Sequence, residues 1–138
     1  MMNQSEALTL LRAAKTATLS VIDFETGYPS GSLVSVAVDD KGWPLLLISS
    51  LARHHKSLSA DNRASLLVQT SPALSDFRAG FQGHMTKLER SADLENLWAA
   101  HHGDAAGILS LADFSFWRMT PTLIHIVAGF GRIETVRL

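Results

Sequence analysis

Apolar residues recur along this chain with two different periods. Ala7, Leu8, Leu11 and Ala14 lie three or four apart, which predicts a helix from Ser5 to about Lys15 with Ser5 as its N-cap. From Thr16 the period falls to two. β-Branched residues predict a strand over 16–23. Phe24-Glu25-Thr26-Gly27 then reads as a turn whose glycine is free to take positive φ. Within 30–38, Val34, Val36 and Val38 share one face and small groups line the other. Asp39-Asp40-Lys41-Gly42 closes a hairpin. The stretch 43–49 is apolar on both faces, as a central strand would be. Further strands are expected over 64–70, 77–88, 114–119, 123–127 and 129–136, with a helix over 91–102 that Gly103 ends. Gly80 and Gly83 interrupt the fifth strand and mark a bulge or a close approach. Residues 108–112 fit either pattern. Six or seven of these stretches, in hairpin order, predict a mostly β protein with short helices, its antiparallel sheet closed into a small barrel.

One stretch breaks the local rules. Residues 49–67 read SSLARHHKSLSADNRASLL, which predicts the end of a strand, a short helix and the start of the next strand. Ser49 or Ser50 is expected to cap the helix, and Leu51, His55 and Leu58 to share its inner face. Arg53, His54 and Lys56 crowd the first turns, where the helix dipole disfavours cations. An anion bound there would resolve the conflict, since amide N–H groups and basic side chains together form a phosphate site. A solvated basic face is the plainer alternative.

Composition narrows the chemistry. The chain has 138 residues, 46% of them hydrophobic, and a formal net charge of −1. Those figures fit one domain, 1–138, with a sizeable core, and give no support for a nucleic-acid or membrane partner drawn by bulk charge. The absence of cysteine excludes disulfides and thiolate chemistry. No basic segment followed by a long apolar run opens the chain, so a cytoplasmic location is the default. The six histidines include two adjacent pairs, whose side chains diverge by about 100° on a helix, and no HExxH occurs. A protein-built metal site is not expected. Gly31, Ser32, Leu33, Val34 and Ser35 would let a flat ring lie against the backbone. Trp117 and Arg118 could wall such a ring by stacking, or be a core residue and a surface cation.

These residues resemble the pyridoxamine 5′-phosphate oxidase-like, FMN-binding split-barrel family, from about Lys15 to Val136. Within it the chain is most similar to the haem-utilisation branch, through Leu51-Ala52-Arg53-His54, Asp113-Phe114 and Gly129-Phe130-Gly131. The resemblance implies a six-stranded antiparallel split β-barrel that binds FMN as a homodimer. It implies that Ser49, Ser50, Arg53 and His54, with Lys56 close by, hold the FMN phosphate. Ser32, Leu33, Val34 and Ser35 would lie against the flavin ring, with Trp117 and Arg118 reaching it across the dimer. Ser32 stands where the oxidase has an arginine, and the last strands lack the Arg-x-His pair that the oxidase carries near its C-terminus, so pyridoxamine phosphate oxidation itself is not expected. The function implied is a flavin-dependent oxidoreductase acting on an unknown small molecule, with no assignable catalytic residue. The alternative is a protein that holds haem or another flat ligand on the same barrel without turnover.

Overall fold

The computed structural model describes residues 4–103, 107, 110, 112–129 and 131–138. Helix α1 (Gln4–Ala13) leads into β1 (Thr16–Ile22), β2 (Pro29–Val38) and β3 (Pro44–Ser49). Helix α2 (Arg53–Ala60) separates these from β4 (Arg63–Gln69) and β5 (Arg78–Leu88). Helix α3 (Ala92–His102), β6 (Phe114–Val127) and β7 (Ile133–Arg137) complete the chain. Ser5 lies inside α1 and its carbonyl accepts from Thr9 Oγ1, so it is not the N-cap expected of it. The middle of Gly129-Phe130-Gly131 and most of 108–112 fall outside the described residues.

The strands run β3-β2-β1-β4-β5-β6-β7, all neighbours antiparallel, and a further β3–β6 pairing closes the first six into a ring. β7 stays outside it. The two strands expected around Thr120-Pro121 are one strand, β6. One edge of β6 pairs with β5 along its length, and the other serves β3 up to Arg118 and β7 from Leu123. Pro121 lies in the seam between β3 and β7, where a missing N–H costs no bond to either strand. The register against β5 slips between Gln82 and Gly83. A Cβ on Gly83 would come within 2.2 Å of the Thr120 carbonyl oxygen, so only glycine fits this approach.

The ring is not paired all the way round. β2 and β3 pair only from Val36–Leu46 to Val38–Pro44. Toward Pro29 on one strand and Ser49 on the other the two part, and this is the split. Helix α2 fills it from within: Leu58 joins the barrel core and His55 meets the Trp117 ring edge-on at 5.5 Å. Inside the barrel, Leu19, Val36, Leu46, Ile48, Leu66, Phe81, Met119 and Ile124 pack together. A second cluster lies on the outer face, where Trp98 of α3 covers Ala37, Leu45, Leu47 and Phe116. β3 is therefore buried on both sides, as its sequence predicts. Each large apolar side chain so buried contributes about 1.5–3 kcal/mol.

Candidate functional site

The start of α2 is built differently from the sequence expectation. The N-cap is Ala52, in extended conformation, and no side chain caps the first turn. Ser49 is occupied elsewhere: its Oγ donates to Asp113 Oδ2 at 2.6 Å and accepts from the Leu51 N–H. The Ser50 N–H donates to the Asp113 carbonyl, and its side chain is exposed. Leu51 precedes the helix and is 83% exposed, so it leaves the inner face to His55 and Leu58. Asp113 thus ties the end of β3 to the start of β6 and holds the loop that presents both serines.

Arg53 resolves the charge conflict internally. Its Nε and Nη2 donate to the two oxygens of Asp23 at 2.7 and 2.9 Å, and Nη2 lies 3.4 Å from Glu25. Its guanidinium also sits 5.0 Å above the Phe24 ring, and Lys56 Nζ lies 6.0 Å from the same ring. The whole grip comes from the turn after β1. Asp23 Oδ2 accepts from the backbone of Glu25 and Thr26 and from the Thr26 hydroxyl. The Phe24 N–H donates to Ser57 Oγ on α2. Arg53 and these donors together hold the Asp23 carboxyl well below the usual carboxylate range.

Burial lowers the pKa of His54 and of His55, aided by mutual repulsion for the first and by Lys87 for the second. Burial thus favours the neutral form of each. His55 Nε2 is buried without a hydrogen-bond partner, an orphan that a bound polar group could satisfy. Arg53 faces Asp23 and Glu25, while Lys56 lies near the Phe24 ring.

The four β2 residues divide between faces. Ser32 and Val34 point into the barrel, while Leu33 and Ser35 are exposed. Their backbone pairs with β1 alone, leaving the edge toward the split free of strand partners. Trp117 and Arg118 also point opposite ways. Trp117 is 4% exposed within the barrel core and donates to Ser115 Oγ. Arg118 lies on the outer face, where its Nε donates to Asp39 and its Nη2 approaches Asp40 at 3.9 Å. The structure therefore gathers Ser49, Ser50, Arg53, His54 and Lys56 at one mouth of the split, with Trp117 beneath them through His55. It sets Arg118 apart. The two carboxylates that hold these arginines, Asp23 and Asp39, carried no sequence signal beyond their turn positions. Among the described residues no cluster of histidines and carboxylates could hold a metal ion. No described helix is long and apolar enough to cross a membrane.

A family model for pyridoxamine 5′-phosphate oxidase matches residues 4–128. The chain belongs to the pyridoxamine 5′-phosphate oxidase family. Its relatives include a non-canonical haem oxygenase, HOZ, of Arabidopsis thaliana chloroplasts, 36% identical over 106 residues. That match covers 75% of this chain but 33% of HOZ, so the chain spans about a third of its curated relative. Among solved structures, a haem-binding protein of Mycobacterium smegmatis superposes with a TM-score of 0.77 at 27% identity, over 99% of this chain and 59% of that one. HutZ, the haem storage protein of Vibrio cholerae, superposes at 0.71 with 23% identity, over 88% and 91% of the two chains. At that identity the likeness speaks for the fold alone.

Proposed function

We propose that this chain binds FMN along the split and works as a flavin-dependent oxidoreductase on a small molecule. The observation that carries this reading is the gathering of Ser49, Ser50, Arg53, His54 and Lys56 at the start of α2, beside an unpaired backbone edge of β2. The exposed Ser50 hydroxyl, the Lys56 ammonium and the part of the Arg53 guanidinium left free by Asp23 suit a phosphate. The orphan His55 Nε2 is a further polar atom on the same helix. Unpaired N–H and C=O groups of β2 suit the polar edge of a flat ring, and exposed Leu33 suits its face. The flavin would supply the redox chemistry, and the chain binds, orients and shields it. A homodimer belongs to the same proposal, since the outer face described below is left uncovered by one chain.

A second reading, haem binding on the same barrel, is favoured by the haem-related names of two of the relatives. Absorbance after adding FMN or haemin separates the two, because flavin bands support the first and a Soret band the second. Calorimetry then tests the phosphate contact. FMN binds more tightly than riboflavin, and Arg53→Ala weakens FMN by about 1.5 kcal/mol, as for a hydrogen bond to a charged group. Equal affinity for the two flavins, together with a Soret band, overturns the FMN reading.

A further inference from the structure

Asp23, Phe24 and Glu25 are consecutive, and each touches the same guanidinium. Asp23 takes the Nε–Nη2 side, Glu25 reaches Nη2, and the Phe24 ring lies below the plane. An arginine has five N–H donors, two of them on Nη1, and the contacts described leave the Nη1 side for another acceptor. Two negative charges already surround this one positive charge. Asp23 is 6% exposed and locked by its turn, whereas Glu25 is 67% exposed and joined by one long contact. One arm of the grip is therefore fixed and the other is free to leave.

We propose that the Asp23-Phe24-Glu25 turn is an internal anion that competes with a ligand's phosphate for Arg53, and so sets how strongly the site favours a phosphate-bearing ring over the same ring without phosphate. The inference rests on the phosphate reading above. An incoming phosphate displaces Glu25 and shares Arg53 with Asp23, and the repulsion between phosphate and carboxylates limits the gain. Lys56, held only at 6.0 Å from Phe24, is the cation left to compensate.

The turn itself makes the test clean. The three bonds that shape it fall on Asp23 Oδ2, while Oδ1 takes only the Arg53 Nε. An Asp23→Asn side chain with its carbonyl in the Oδ2 position keeps the turn and the Nη2 bond, and with the charge it gives up the bond from Arg53 Nε, which then meets an NH2. The exposed Glu25→Gln change leaves that turn untouched. FMN and riboflavin titrations are run on the full chain and on both variants. Asp23→Asn raises FMN affinity up to about fivefold, the equilibrium equivalent of a half-exposed ion pair. Glu25→Gln raises it less, and riboflavin affinity stays put in both. FMN preferred over riboflavin in the parent chain, with FMN affinity unchanged or lowered in both variants, overturns this inference alone and makes the carboxylates supports for Arg53. Equal binding of the two flavins by the parent chain removes the phosphate reading and this inference with it.

Discussion

Asp39 has no exposed side-chain surface, and the charge it faces is Arg118. Its other oxygen accepts from the N–H groups of Lys41 and Trp43, so the carboxylate shapes the β2–β3 hairpin as well as pairing with β6. Removing one member of a buried pair strands the other, at a cost of about 3 kcal/mol. Arg118→Gln is therefore expected to lower stability by that amount in denaturant unfolding, where an ordinary surface cation would cost less than about 0.5 kcal/mol. A loss below that smaller figure would return Arg118 to the surface. The alternation that sends Trp117 and Arg118 to opposite faces is readable from strand geometry. The partners of Arg53 and Arg118 are not. Asp23 lies 30 residues from Arg53 and Asp39 lies 79 from Arg118, and only the closed sheet brings them together. The sequence displays the misplaced cation of α2, while its counter-ion is a tertiary fact.

Helix α3 is the element whose ends the sequence marks best. Ser91 caps it, accepting from the Leu94 N–H at 3.2 Å, and Gly103 ends it at φ +56. Its attachment is less legible, because it uses two adjacent histidines in different ways. His101 Nε2 meets the Ala14 carbonyl at 2.7 Å and His102 Nε2 the Val36 carbonyl at 2.9 Å, while the His102 ring stacks on Trp98 at 4.3 Å. Burial lowers the His102 pKa, and His101 and Lys15 push it the same way against the Val36 hydrogen bond. The unfolded chain therefore takes up a proton near pH 6.5 that the folded chain resists. Stability is full above that pH and falls as the pH drops below it. His54 and His55 shift in the same direction. A lower denaturant midpoint at pH 5.5 than at pH 7.5 is expected, with Trp98 fluorescence reporting the change near α3. His102→Gln keeps a donor for Val36 and should reduce that difference; an undiminished difference would place its source in α2. The short α2 was harder to bound, since Leu51 continues the helical spacing but lies in the loop that Asp113 holds.

For the whole molecule, the outer face of the sheet is unusually plain. One row across it runs Leu33, Thr18, Leu67, Gly80 and His125, and the next runs Gly31, Ser20, Ser65, Gln82 and Leu123. From β2 to β6 neither row holds an acidic side chain, a lysine or an arginine; on β7 the first row adds Thr135 and the second ends in Arg137. Leu33 is 76% exposed and Leu67 37%. The proposed homodimer would cover this face, and light scattering should give a mass near twice 15.0 kDa. Leu33→Glu, at an exposed position, should halve that mass without unfolding the chain; a parent protein that already runs as a stable monomer at micromolar concentration would refute the dimer. The β1–β2, β2–β3, β4–β5 and β6–β7 hairpins were legible because each is local, whereas the β1–β4 ladder joins strands separated by two others and a helix. The closure was legible only as a tendency to hide edges, since nothing in the sequence pairs Leu45 with Arg118.

That closure also sets an order in time. The β1–β2 and β2–β3 ladders join strands that follow one another, whereas β3 meets β6 from the opposite half of the chain. Loop entropy must be paid before such distant strands reward each other, so contacts of this kind slow folding. Until β6 and α3 arrive, Leu45, Leu46, Leu47 and Ile48 stand uncovered on both sides of a strand with an open edge. The segment most deeply buried in the finished barrel is thus the one longest exposed while the barrel is made, and the hazard it presents to a neighbouring chain lasts as long as the ring stays open.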